Sequence, residues 1–162
     1  LKRDFHPAHF RKGQTLVRLG ETSRAISAFQ EATRVKRDYP EAYYMLGTLY
    51  NETGELSRSV ESFRQAVSLE GDNPVFLGAL GTALSARQDY AEAERYLEAA
   101  LEMDRANFEA GRELVRLYER GGRRNDAARQ LKRLARRAAL GLGRNGSIAS
   151  NGWTAQRSPA CR

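Results

Sequence analysis

The sequence predicts an all-α chain, a right-handed solenoid of helix–turn–helix repeats, and two observations carry that expectation. The first is a period of 34 residues. Windows opening at His6, Pro40, Pro74 and Phe108 return side chains of the same size at the same places, with no insertion over four copies. The second is the spacing inside each window. Small and apolar residues recur about every 3.6 residues, and no alternating run bounded by hairpin turns interrupts them. A hydrophobic content of 41% is enough to bury a core of this kind.

The elements follow in order from the repeated positions. Position 8 of the windows is Gly13, Gly47, Gly81 and Val115, and position 11 is Leu16, Tyr50, Leu84 and Tyr118. With position 4 and position 7 they form one face of a first helix. Position 20 is Ala25, Ser59, Ala93 and Ala127, position 24 is Phe29, Phe63, Leu97 and Leu131, and position 27 is Ala32, Ala66, Ala100 and Leu134. These form one face of a second helix. Small residues at 8, 20 and 27 let the backbones approach closely, and the larger ones at 11 and 24 fill what remains. Position 15, at the turn, is Gly20, Gly54, Gln88 and Gly122. Helices are therefore expected over 7–18, 22–36, 40–52, 56–70, 74–86, 90–103, 108–120 and 124–139, giving repeats 6–39, 40–73, 74–107 and 108–140. Leu1 falls in register at position 30, beside Val35, Leu69 and Met103, so residues 1–5 read as the end of a preceding repeat's second helix. Residues 141–162, rich in Gly, Ser, Asn and Arg, read as a disordered tail with Trp153 as its main apolar group.

These residues resemble the tetratricopeptide repeat, most plainly in Glu41-Ala42-Tyr43-Tyr44-Met45-Leu46-Gly47 with Tyr50, Gly54, Phe63 and Ala66. The resemblance covers about residues 6–140. Position 4, usually aromatic in that family, is His9, Tyr43, Leu77 and Gly111, so the fourth repeat's first helix is expected to be looser. Position 32, usually Pro, is Arg37, Gly71, Arg105 and Ala139, a weaker stop between repeats. The resemblance implies a scaffold or adaptor that binds a peptide or helix of a protein partner in a concave groove.

Positions 2, 5, 9 and 12 lie opposite the core stripe of each first helix and face that groove. Position 5 supplies Phe10, Tyr44, Gly78 and Arg112, and position 9 supplies Gln14, Thr48, Thr82 and Arg116. Position 12 supplies Val17, Asn51, Ser85 and Glu119. Phe10 and Tyr44 are expected as apolar anchors, and Gln14, Thr48, Asn51, Thr82 and Ser85 as hydrogen-bonding groups. Arg112 and Arg116 are expected to receive an acidic side chain or a terminal carboxylate. The residues by which some family members clamp acidic chaperone tails are not matched: Phe10, Gln14, Met45, Val75 and Ala79 stand there, or Tyr44, Thr48, Ala79, Glu109 and Glu113 one repeat on. The Asn ladder of sugar-transferase repeats is not matched either, since Asn51 stands alone.

Enzymatic chemistry finds no footing in the sequence. His6 and His9 lack a third metal ligand, His9 sits at a core position, and Cys161 is far from both. Gly141 to Gly146 spells a dinucleotide fingerprint without the strand that loop requires. Asn51-Glu52-Thr53 and Asn145-Gly146-Ser147 are glycosylation sequons only in a secreted chain. No cofactor, metal or catalytic residue is assigned, and a cytoplasmic location is the expectation. A substrate-docking module of a larger enzyme is the alternative within the same fold.

Charge supplies one competing signal. Residues 1–119 carry 16 Lys/Arg against 19 Asp/Glu, a net −3, whereas residues 120–162 carry 11 against one, a net +10. Arg123, Arg124, Arg129, Lys132, Arg133, Arg136 and Arg137 surround Ala127, Leu131, Leu134 and Ala138. A basic amphipathic helix of this type binds nucleic acid or anionic membranes. In register, however, its apolar strip is the repeat's own core face. With no polar cap after it, the last helix is also a place for self-association.

Overall fold

The computed structural model describes residues 6–145, and among these it has eight helices and no strand. They are α1 (His6–Arg18), α2 (Thr22–Val35), α3 (Pro40–Glu52), α4 (Leu56–Leu69), α5 (Pro74–Ala86), α6 (Tyr90–Met103), α7 (Phe108–Arg120) and α8 (Arg124–Asn145). Consecutive helices pack as antiparallel pairs, and each second helix also touches the next first helix. The first helices α3, α5 and α7 follow one another along one side of the stack.

Local chemistry sets the ends of these helices. Pro40 and Pro74 open α3 and α5, where a missing N–H costs nothing. Asn73 accepts hydrogen bonds from the Val75 and Phe76 amides, and Asn107 accepts one from the Ala110 amide. Every turn at position 15 is left-handed: φ is 74° at Gly20, 79° at Gly54, 73° at Gln88 and 70° at Gly122. This lets the following amide bond back five residues, as Glu55 N–H does to the Tyr50 carbonyl at 2.8 Å and Asp89 N–H to the Leu84 carbonyl at 2.9 Å. Gln88 holds this conformation without being glycine.

The core runs through all the repeats in two clusters, one around Phe29 and Leu49 and one from Val60 to Leu134. Its governing contact is a first-helix glycine under a large second-helix side chain. A Cβ on Gly13 would lie 2.7 Å from the Phe29 ring, one on Gly47 2.7 Å from the Phe63 ring, and one on Gly81 2.6 Å from Leu97 Cγ. Any side chain at these places would expel its neighbour. Buried Ser59 is satisfied by donating to the Gly47 carbonyl at 2.8 Å.

The fourth repeat departs from this in two ways. As expected, α7 packs less extensively on its partner than the other first helices do, and its close approach lies at Gly111, where a Cβ would lie 2.5 Å from Leu134 Cδ2. Leu131, expected in the core with Ala127 and Leu134, is instead 50% exposed, because Val115 fills the place that glycine leaves open in the other repeats. The helix expected to stop at 139 continues to Asn145, five residues into the segment read as disordered. Ala, Leu and Arg at 138–144 are good helix formers, and they outweigh Gly141 and Gly143 at about 1 kcal/mol each. Residues 146–162, with Trp153 and Cys161, and residues 1–5 lie outside the described residues.

Candidate functional site

A groove of about 480 Å³ runs over the first helices of the second, third and fourth repeats. From α3 it takes Tyr44, Thr48 and Asn51; from α5 it takes Val75, Gly78, Ala79 and Thr82; from α7 it takes Phe108, Glu109 and Ala110. Tyr44 is fixed at its floor by two rings, stacked on Phe76 at 5.3 Å and tilted against Phe63 at 5.7 Å. Gly78 sits where the connection before α7 comes close: a Cβ there would lie 3.2 Å from Asn107 Nδ2. Asn107 Nδ2 in turn donates to the Pro74 carbonyl at 3.2 Å, tying the two walls together.

The polar groups of the groove are poised in a defined sense. Thr48 donates its hydroxyl proton to the Tyr44 carbonyl at 3.0 Å, and Thr82 does the same to Gly78 at 3.0 Å. Each oxygen is left with acceptor capacity, so these threonines would receive N–H groups from a ligand. Asn51 is exposed and makes no side-chain hydrogen bond among the described residues. The charged lining is acidic, supplied by Asp104 and Glu109.

Five of the nine residues chosen from sequence stand elsewhere. Phe10 is half-buried against Phe29 at 5.3 Å and Tyr39 at 4.9 Å, so it braces the first repeat and does not stand free as an anchor. Gln14 is exposed on α1, beyond this groove. Ser85 is fully buried and donates to Glu113 Oε1 at 2.6 Å, across from α5 to α7. Arg112 is paired with Glu109, and Arg116 with Glu113 at 2.9 Å, so the expected cationic end is neutralised from within its own helix. Sequence reasoning also missed residues that do line the groove. Val75 and Glu109 occupy position 2, a groove-facing place, and entered the sequence reading only as positions where the acidic-tail clamp is not matched. Asp104, Ala106 and Asn107 come from the connection between α6 and α7, which no helix-face argument reaches.

Comparison with known families decides what this stack of paired helices is. Tetratricopeptide repeat models match residues 10–74 and 84–140. The chain belongs to the tetratricopeptide repeat family. Solved structures agree on the fold of this repeat chain, a right-handed α-solenoid. A crystal structure of MamA superposes with a TM-score of 0.82 at 18% identity, over 85% of this chain and 81% of that one. The first TPR of Spaghetti (RPAP3), bound to the HSP90 peptide SRMEEVD, gives 0.70 at 21% identity over 72% and 93%. YrrB, a TPR protein with an unusual peptide-binding site, gives 0.71 at 21% identity over 79% and 66%. No curated protein sequence matches the chain.

Proposed function

We propose that this tetratricopeptide chain is a protein-interaction scaffold that holds a segment of a partner in the groove over α3, α5 and α7. The observation that carries the reading is the pairing of Thr48 and Thr82 as acceptors beside the fixed ring of Tyr44. An apolar side chain of the partner would rest on Tyr44, Val75 and Phe108. Its backbone N–H groups would meet the two threonines, and Asn51 would pair with a neighbouring amide. Asp104, which has no cationic partner among the described residues, favours a basic group at the far end, so the ligand differs in charge from an acidic chaperone tail. Two of the solved relatives, RPAP3 and YrrB, are peptide binders by their descriptions, which supports a peptide here. Nothing in the groove offers a nucleophile with a base beside it, and the scaffold role involves no catalysis.

The test begins with partners captured on the immobilised chain and identified by mass spectrometry. A fragment of the captured protein is then titrated against variants. Thr82→Arg puts a long cation into the groove from a half-buried site. It should weaken binding at least about tenfold, a loss of roughly 1.4 kcal/mol. Gln14→Ala, outside the groove, should leave it unchanged. Unaltered affinity in Thr82→Arg removes the groove assignment.

A further inference from the structure

Each second helix in this fold carries a stripe that the next repeat covers. Positions 21, 24 and 28 of the second repeat are Val60, Phe63 and Val67, respectively buried, buried and half-buried, and α4 lies against α5. The matching stripe on α8 is Ala128, Leu131, Ala135 and Ala139, aligned by the 100° step of a helix. All four are exposed, and among the described residues no helix follows α8 to cover them. The stripe spans about 17 Å along the axis, the length of a three-turn helix. Lys132 and Arg136 edge it on one side and Arg124 stands at its beginning, all three exposed and without an acidic partner among the described residues. The single acid of α8, Asp126, is taken by Arg123 at 2.7 Å and by Arg129.

We infer that this ledge seats an acidic amphipathic helix of another protein, which docks on α8 as a further first helix would. Its apolar stripe would cover Leu131 and the three alanines, and its carboxylates would meet Lys132 and Arg136. Charge selects this occupant over the others. A second copy stacked head to tail through α1 would offer residues 6–18, which contain no acid and expose Arg11, Lys12 and Arg18. The chain's own residues 146–162 contain no Asp or Glu either and carry Arg157 and Arg162. Both would set cation against cation.

The experiment uses the full chain and two fluorescent synthetic helices of about four turns. They share one leucine and alanine stripe and carry either glutamates or lysines along its edges. In fluorescence anisotropy the glutamate probe should bind the wild-type chain and the lysine probe should not, with affinity falling as salt rises. Leu131→Glu should lower affinity for the glutamate probe at least about tenfold, and Lys132→Glu with Arg136→Glu should transfer the preference to the lysine probe. All three residues are exposed, so the variants keep the helical spectrum of the parent. Thr82→Arg should leave this binding intact, which separates the ledge from the groove. The proposal is overturned by equal probe affinity in Leu131→Glu, or by tighter binding of a short RNA duplex or anionic vesicles than of the glutamate probe. A wild-type dimer in light scattering that Leu131→Glu converts to monomer would overturn it too, since the occupant would then be a second copy.

Discussion

In the first three repeats a glycine at position 8 lies beneath a large residue at position 24; in the fourth, Val115 stands at position 8 and Leu131 has swung out to the surface. The close approach has moved one helical turn, to Gly111 beneath Leu134. Position 27, alanine in the other repeats, is now the large residue, and position 4 is now the small one. The difference teaches that each layer between paired helices tolerates an exchange of sizes provided that one partner is small and the other large. The level at which the helices interlock changes, and α7 and α8 pack less extensively than the other pairs. The exchange also frees a leucine on the outer face of α8, so a packing detail becomes a surface property.

The comparison breaks most readily with truncations. Leu97→Ala, at a fully buried residue, should cost about 2–5 kcal/mol in a urea melt, and Leu134→Ala should fall in the same range. Leu131→Ala, at the corresponding place in the repeat pattern, should cost less than about 1 kcal/mol. Equal costs for Leu97→Ala and Leu131→Ala would mean that Leu131 is packed after all. A smaller effect sharpens the same contrast from the other helix. Gly81→Ala drives a methyl toward Leu97 Cγ and to 3.2 Å from the Ala93 carbonyl, both held by the core, and should cost about 1–3 kcal/mol. Gly111→Ala meets mainly the terminal methyl of Leu134, which can turn aside, and the roughly 1 kcal/mol helix-propensity gain over glycine offsets part of the clash. Its melt should therefore lie closer to that of the parent.

How far the sequence reveals all this depends on whether a signal is periodic. Helix starts and stops repeat four times, so the bounds of seven helices were legible to within a residue. The end of α8 has no copy to be read against, and it was placed six residues short. Tyr44, Thr48, Asn51 and Thr82 were legible because they stand on the open face of first helices. Phe10 was not, because its ring finds Tyr39, a residue of the inter-repeat connection. Arg112 and Arg116 look like free cations in a list of groove positions. They are spent on Glu109 and Glu113 three residues earlier, a pairing visible only when neighbouring positions of one helix are read together. Ser85 was lost to Glu113 in the same way, across two repeats.

The joints between repeats supply the finest contrast. Tyr50 receives a hydrogen bond from neutral Gln30 at 2.8 Å, whereas Tyr118 donates one to the Glu98 carboxylate at 3.1 Å. Burial, that bond and the charges of Glu98 and Glu94 push the Tyr118 phenol up to about 12. In the unfolded chain the same phenol ionises near 10. Between these values the folded state holds a proton that the unfolded state has released, so stability from this joint is whole below about pH 10 and is lost as pH rises through about 12. Burial also raises Tyr39, so the decisive quantity is the difference between wild type and Tyr118→Phe. The melting temperature of the wild type should fall more steeply than that of the variant from pH 10 upward, an effect smaller than either packing contrast. Parallel curves for Tyr118→Phe and wild type would show that the Glu98 contact does not hold the phenol protonated.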